Sequence, residues 1–388
     1  MSEDLREIVR QEYRDAYGDE PVGVWSSPGR ANLIGEHTDY NDGFVLPFGI
    51  DRRTFAAVGV RGDDRIRVGS TFTDEIAEIS LGELTPDAVT GWAGYPLGVV
   101  WALGQLGHVD LAAVPGVDIM LESDVPVGAG LSSSAAIEGA VAYALAELWQ
   151  LDLDRVELAR VGRKAENDFV GAPTGIMDQM ASLLGRDDAA VFIDCRTQEA
   201  RAIDLGLAEH DLTILVIDTQ VEHQHASGGY RERRASCEAG AAALGVGSLR
   251  DVTIDDLERA REVLDDVTYR RVRHVVTENQ RVLDTVAALA SDGPRAIGGL
   301  LDASHASMRD DFEISVPELD LAVETAQTSG AIGARMTGGG FGGSAIALVP
   351  RELVSHVRAA VDGAFAEHGY GQPVTFTVTP SEGARREA

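Results

Sequence analysis

A chain of 388 residues with 44% hydrophobic content can hold two domains with sizeable cores, and it has no run of about 18 apolar residues that would span a membrane. Acidic residues outnumber basic ones 63 to 33, a net charge of −30 that would repel nucleic acid and anionic membrane surfaces. Two cysteines, Cys195 and Cys237, are too few for a disulfide framework, and the N-terminal residues lack the basic and apolar regions of a signal peptide, so a reducing cytoplasm fits.

In chain order, Leu5 to Tyr17 has the spacing of a short amphipathic helix, and Val22 to Ser27 reads as a strand ended by Pro28-Gly29. The turn-rich stretch from Gly29 to Gly43 then packs Arg30, Glu36, His37 and Asp39 close together. Carboxylates, an imidazole and an amide suit a ligand bearing many hydroxyls, because each hydroxyl both donates and accepts. A solvated turn is the plainer alternative. Residues 51–80 alternate as strands, 92–106 read as a helix, and Val117 to Glu122 as a strand that delivers the chain into Pro126-Val-Gly-Ala-Gly-Leu-Ser-Ser-Ser-Ala135.

Gly128 and Gly130 carry no Cβ and let backbone come close to a ligand. A strong helix follows the three serines, and a helix start offers unpaired N–H groups and a partial positive charge, which together favour an anion. The hydroxyls add donors, and one of them would suit a hard cation such as Mg²⁺. This order of strand, glycine loop and helix is that of a phosphate cradle, although the Gly-Lys-Ser/Thr of a Walker loop is absent. The plainer alternative is that Ser132 caps the helix.

Arg155 to Val170 forms a further helix, with Glu166 at the edge of its apolar face and by default a solvated carboxylate. Gly171-Ala-Pro-Thr-Gly175 breaks it, and the next helix, Ile176 to Leu184, places Asp178 in a first turn where the dipole favours its charge. Leu212 to Asp218 has the β-branched content of a buried strand. His223-Gln-His225 lacks further ligands at a recognisable spacing and reads as loop. Ser227 to Arg234 starts a helix that carries Tyr230; residues 271–281 and the region after Pro317 are helical. Gly338 to Gly343 fits G-x-G-x-x-G, but the strand Ser344 to Val349 follows it rather than a helix. A second glycine loop near phosphates therefore fits better than a dinucleotide-binding oxidoreductase. Arg351 to Phe365 is a helix and Val374 to Val378 a closing strand. The pattern changes between 185 and 212, which divides the chain into an N-terminal sugar- and phosphate-binding domain, 1–190, and a C-terminal domain, 191–388.

Gly29 to Pro47, Pro126 to Ala135 and Gly333 to Gly343, together with Ser304 to Glu313 and Gly175 to Gln179, resemble the galactokinases of the GHMP small-molecule kinase superfamily. The first stretch is similar to the galactokinase signature nearly residue for residue, whereas the second and third indicate the superfamily. The resemblance spans nearly the whole chain. It implies an α+β, two-domain GHMP kinase fold: an N-terminal domain like ribosomal protein S5 domain 2, an α/β C-terminal domain, and an active site in the cleft between them. It also implies ATP-dependent phosphorylation of the anomeric hydroxyl of galactose by a cytoplasmic monomer or weak homodimer.

By motif position the resemblance makes Asp178 the acceptor of the hydroxyl proton and Arg30 its cationic neighbour. Ser134 and Glu166 match the Mg²⁺ ligands, and Gly128, Ala129, Gly130, Leu131, Ser132 and Ser133 match the triphosphate loop. Glu36, His37, Thr38, Asp39, Gly175 and Tyr230 correspond to sugar contacts, and Ser70 to a nucleotide contact. The two glycines before Tyr230 depart from the commoner family pattern. Two alternatives carry the same motifs: a kinase for N-acetylgalactosamine, arabinose or a uronic acid, and a non-catalytic sensor of galactose and ATP. The intact Ser132-Ser133-Ser134, Glu166 and Asp178 favour an enzyme over the sensor. The acidic surface, with Lys164 as the sole lysine, fits either concentrated salt or the codon bias of a GC-rich genome.

Overall fold

A computed structural model describes residues 4–222 and 226–388. His223-Gln-His225, read as loop from the sequence, lies outside the described residues. The helix α1 (Leu5–Tyr17) spans the residues its spacing predicts; Asp4 caps it by accepting the Arg6 N–H, and Gly18 ends it in the left-handed region. The strand β1 (Gly23–Asn32) does not stop at Pro28-Gly29. It runs on through a register shift between Pro28 and Arg30, the kind of irregularity at which a strand tolerates proline. Gly29 is required there, because a Cβ would come 2.7 Å from Leu131 O. Arg30 therefore stands on a strand that lies directly against the loop after Pro126.

The chain continues through β2 (Phe44–Val45), β3 (Pro47–Val60), β4 (Arg65–Ser70), β5 (Thr73–Ser80), α2 (Gly94–Gln105), β6 (Val117–Ser123), α3 (Ser133–Leu148) and α4 (Arg155–Lys164). A widened π-type turn, Ala165–Val170, ends α4 and closes on left-handed Gly171. Then follow α5 (Met177–Leu184), β7 (Ala189–Asp194), β8 (Glu199–Asp204), β9 (Leu212–Glu222) and α6 (Ala226–Leu244). The remaining elements are α7 (Leu257–Val263), α8 (Asp266–Asp292), α9 (Gly298–Ser307), α10 (Pro317–Thr328), β10 (Gly333–Thr337), β11 (Gly342–Pro350), α11 (Val354–His368), β12 (Val374–Val378) and β13 (Arg385–Arg386).

Among the described residues the strands form three sheets, in the orders β13-β1-β3-β6-β4-β5, β10-β11-β9-β12 and β2-β7-β8. In the first, alternate residues serve two faces: Trp25, Ala56 and Ile119 join a core with α2 to α5, while Val24, Ala57 and Met120 pack under α1. The second sheet is buried on both faces. Ile214, Val216, Ile346 and Leu348 meet Leu33, Phe48 and Leu131 from the first half of the chain, while Leu215, Ile217 and Ala347 face α6, α8, α10 and α11. An apolar core thus joins the two halves.

The division expected at 190/191 falls inside β7, and the end of the chain does not stay with the second half. Residues 379–387 return to the first sheet: Ser381 N–H donates to Gly49 O, Gly383 N–H to Gly185 O and Ala384 N–H to Ser182 O. β13 then pairs Arg386 with Trp25 and Arg385 with Ser26. Arg53, buried beneath, donates to the carbonyls of Glu382 and Gly383.

Candidate active site

Arg30, near the end of β1, and Asp178, in the first turn of α5, form a two-pronged ion pair: Arg30 Nε donates to Asp178 Oδ1 at 2.8 Å and Nη2 to Oδ2 at 2.8 Å. The third nitrogen, Nη1, donates to Gly130 O of the glycine-serine loop at 2.6 Å. Ser132 does not cap α3. It sits at the cap position in the left-handed region without a capping bond, and its hydroxyl donates instead to Asp178 Oδ2. The aspartate therefore accepts from three donors, and the loop, the strand and the helix meet on its two oxygens.

A cavity of about 770 Å³ opens at this point, lined by Arg30, Asp178, Gly128, Gly130 and Leu131, the three serines and Ser70. Gly128 and Gly130 both adopt positive φ, and Ser133 and Ser134 open α3. The second glycine loop, after β10, presses on the first: a Cβ at Gly338 would come 2.9 Å from Gly130 O, and Ser344 Oγ donates to Ala129 O at 2.7 Å. Gly339 joins the cavity wall. Ala129 itself is buried, with its carbonyl used in holding that second loop.

Glu166 is not the solvated helix carboxylate its position on a helical pattern suggests; it is only 6% exposed. It follows the buried Leu158 and Gly162 of α4 at α-helical spacing, and in the interior Oε1 accepts from Ser134 Oγ at 3.0 Å and Oε2 from Thr174 Oγ1 at 2.9 Å and Gln179 Nε2 at 2.7 Å. Burial, and then the charge of Asp178, raises its carboxyl above the ordinary value. None of its described hydrogen-bond partners is cationic.

Asp39, Gly175 and Tyr230 lie on the other side of Asp178. Asp39 Oδ1 accepts the Tyr40 N–H at 2.9 Å, and Gly175 leaves room for this carboxylate, since a Cβ there would come 1.8 Å from Oδ2. His37 packs at a tilt against Tyr230 and Phe312, with ring centroids 5.0 and 4.9 Å away. Its Nε2 lies 3.1 Å from Gly339 O, which can only accept, so Nε2 carries the proton and Nδ1 accepts from Tyr40 OH at 2.7 Å. Burial, and then His274, lowers His37 to about 3, so the ring is neutral.

Glu36 and Thr38 do not reach the cavity as free sugar contacts. Thr38 Oγ1 donates to the carbonyls of Gly35 and Phe44. Glu36 is fully enclosed: Oε2 accepts from Arg335 Nη2 at 2.5 Å and Asn32 Nδ2 at 2.7 Å, and Oε1 from Gly338 N at 2.8 Å and Thr337 Oγ1 at 3.2 Å. Burial raises its carboxyl and Arg335 offsets part of the rise. Motif spacing could not show that this acid is a clasp between the first motif and the second glycine loop.

Burial, and then the Asp178 carboxylate, pushes Asp39 up to about 6 from 3.8. The native state thus holds a proton that the unfolded chain has lost. Stability from this group is fully present below pH 3.8 and is lost as pH rises to about 6. Asp39→Asn is therefore expected to melt above the parent protein at pH 7 and to converge with it near pH 4, read from ligand-free thermal melts across that range.

Sequence reading missed several residues. Phe72, from the turn between β4 and β5, lines the cavity with Trp92 and Tyr95, which stand three apart where the chain enters α2, and Phe72 and Val127 stand 64% and 74% exposed at its wall. No spacing links Phe72 to the helical pair. Glu138 and Gln179, buried behind Glu166, did carry a signal: α3 is apolar all round, so a lone Glu in its middle is enclosed.

Residues 11–60 match the galactokinase galactose-binding signature, residues 94–186 the GHMP kinases N terminal domain, and residues 285–367 the GHMP kinases C terminal domain. The chain is 51% identical to a galactokinase of Streptomyces coelicolor, with 100% of both chains covered. It is 46% identical to one of Mycobacterium bovis, over 93% of this chain and 98% of the relative. Its structure resembles that of a Lactococcus lactis galactokinase complexed with galactose at a TM-score of 0.93, 32% identity, and coverage of 98% and 99%. A mevalonate kinase, 17% identical at a TM-score of 0.66 over 92% of this chain and 99% of that one, shares the fold.

Proposed function

Because the chain belongs to the galactokinase family of the GHMP kinases, we propose that the Arg30–Asp178 cavity is where it moves a phosphoryl group from ATP to the anomeric hydroxyl of galactose. It is an enzyme of galactose phosphorylation. The observation that carries the assignment of the site is Arg30, which bonds at once to Asp178 and to the carbonyl of Gly130. One guanidinium ties the proton acceptor to the phosphate loop.

Phosphoryl transfer needs positioning and charge neutralisation more than covalent chemistry. The loop amides, the serine hydroxyls and the start of α3 hold the phosphates; Ser70, Trp92 and Tyr95 shape the nucleotide end. Asp39, Gly175 and Tyr230 form the sugar side, with His37 packed behind Tyr230. Asp178 accepts the hydroxyl proton. Arg30, bonded to both of its oxygens, also stabilises the moving phosphoryl group.

The donor set fits Mg²⁺: Ser134 Oγ and Glu166 Oε1 are hard oxygens 3.0 Å apart. When bound, Mg²⁺ neutralises charge on the phosphate oxygens. Ser134 and Glu166 are the residues that would hold it. Cys195 and Cys237, both free and buried, support a reducing, cytoplasmic setting.

The test is a coupled ADP-release assay with galactose, N-acetylgalactosamine, arabinose, a uronic acid or no sugar, at low and molar salt. ADP release that depends on galactose is expected. Binding of both galactose and ATP without turnover would overturn the reading. Activity is expected to persist in molar salt, where screening reaches within about 3 Å and relieves repulsion across the acidic surface. Gly175→Ala, whose Cβ collides with Asp39, is expected to weaken galactose binding about tenfold or more in calorimetric titration, while ATP binding stays unchanged.

A further inference from the structure

Ser134 and Glu138 are four residues apart on α3 and so face the same way, toward the turn that carries Glu166. Glu138 is completely enclosed, and its Oε1 has no hydrogen-bond partner among the described residues. Its Oε2 accepts from Gln179 Nε2 at 2.9 Å, and the same amide nitrogen donates to Glu166 Oε2 at 2.7 Å. Gln179 Oε1 is likewise unpartnered. The glutamine is boxed in by Gly162, where a Cβ would come 2.9 Å from Gln179 Cγ and 3.3 Å from Glu138 Oε2. An apolar pair would fill this space without burying unused polar atoms, which cost free energy when left unsatisfied. Packing alone does not account for the polar pair.

The pair acts on orientation. Thr174 and Gln179 together occupy Glu166 Oε2, which leaves Oε1 turned to Ser134 and the phosphate loop. Glu138 fixes Gln179 by taking the second hydrogen of its amide. We propose that Glu138 and Gln179 are positioning residues that lock one oxygen of Glu166 so that the other stays aimed at Ser134. This rests on the reading of Ser134 and Glu166 as the pair that holds the divalent cation. It extends that reading to residues that touch neither the cation nor the substrates.

The experiment measures equilibrium binding of a non-hydrolysable ATP analogue to the full chain while Mg²⁺ is titrated, with galactose binding measured in parallel. Gln179→Ala and Glu138→Ala are expected to raise the Mg²⁺ concentration for half-maximal analogue binding by about tenfold or more, the range found for groups that orient metal ligands. Galactose affinity should stay within about twofold. Glu138→Gln, which keeps an acceptor oxygen for the amide, should restore Mg²⁺ dependence to near the parent value. Thr174→Val removes the other donor to Oε2 at the edge of the site, and is expected to shift Mg²⁺ dependence in the same direction even if the α3 variants do not fold. Equal losses of galactose and Mg²⁺ affinity, or an unchanged Mg²⁺ dependence in folded Gln179→Ala and Thr174→Val, would overturn the proposal. Ser134→Ala separates the two levels. If it leaves Mg²⁺ dependence untouched, the cation-holding pair itself is wrong; if it shifts that dependence and Gln179→Ala does not, only the positioning role fails.

Discussion

Asp178→Asn is expected to lower kcat by about 10²- to 10⁴-fold, the range in which a positioned proton acceptor accelerates a reaction, while nucleotide binding is retained. The substitution keeps the shape of the side chain but removes the charge that faces Arg30 and the lone pair that takes the proton. Arg30→Ala should be severe for a different reason, since it frees the carboxylate and also releases the Gly130 carbonyl of the phosphate loop. Because both residues serve one developing charge, the double variant should lose far less than the product of the single losses. Single-turnover measurements of the four proteins give the comparison. Turnover of Asp178→Asn within about threefold of the parent, less than ~1 kcal/mol on the rate scale, would remove the proton-acceptor role.

Arg335→Met is expected to destabilise the fold by about 3–5 kcal/mol, the cost of breaking a buried ion pair from one side. Arg335 is completely enclosed, and it binds Glu36, the carbonyls of Asn32 and Leu33, and Ser304. Glu278 lies 3.5 Å from it and also accepts the Gly35 N–H and the Ser304 hydroxyl. Removal of the guanidinium would leave Glu36 without a cation and Glu278 with Arg281 alone. The loss is read as a lower midpoint of urea unfolding. A midpoint equal to that of the parent would mean that the hydrogen bonds from Asn32, Thr337 and Gly338 suffice to hold Glu36.

How much of this was legible in the sequence depended on whether the information was local. The α1 helix could be read in full because its period and its two ends lie within one stretch, from Asp4 to Gly18. The glycine-serine loop could be read because backbone conformation and helix start are adjacent in the chain. The burial of Glu166 was half legible: its α-helical spacing from Leu158 and Gly162 puts it on the buried face, but the neutral partners that hold a carboxylate there come from Ser134, Thr174 and Gln179 on other segments. Pro28-Gly29 looked like a stop because proline and glycine usually are; the reason this pair continues β1 is the distant Leu131 carbonyl. Phe72 meets Trp92 and Tyr95 only in three dimensions. The clasp around Glu36 likewise needs partners some 240 and 300 residues further on, as the separations of 243 to Glu278 from Gly35 and 299 to Arg335 show.

The return of the last strand to the first sets a constraint on synthesis. Ser26 and Glu387, which share a hydrogen bond, are 361 residues apart. While the ribosome is still working, β1 has an open edge, and Arg53 has neither of the carbonyls that satisfy it in the finished molecule. The far end of α5, which the returning segment also grips at Ser182 and Gly185, stays unanchored on that side until Gly383 and Ala384 have been made. Arg30 is therefore made long before the strand that covers the edge of its own β1, and a nascent chain stalled short of β13 would expose a ready template for pairing with its neighbours on the polysome.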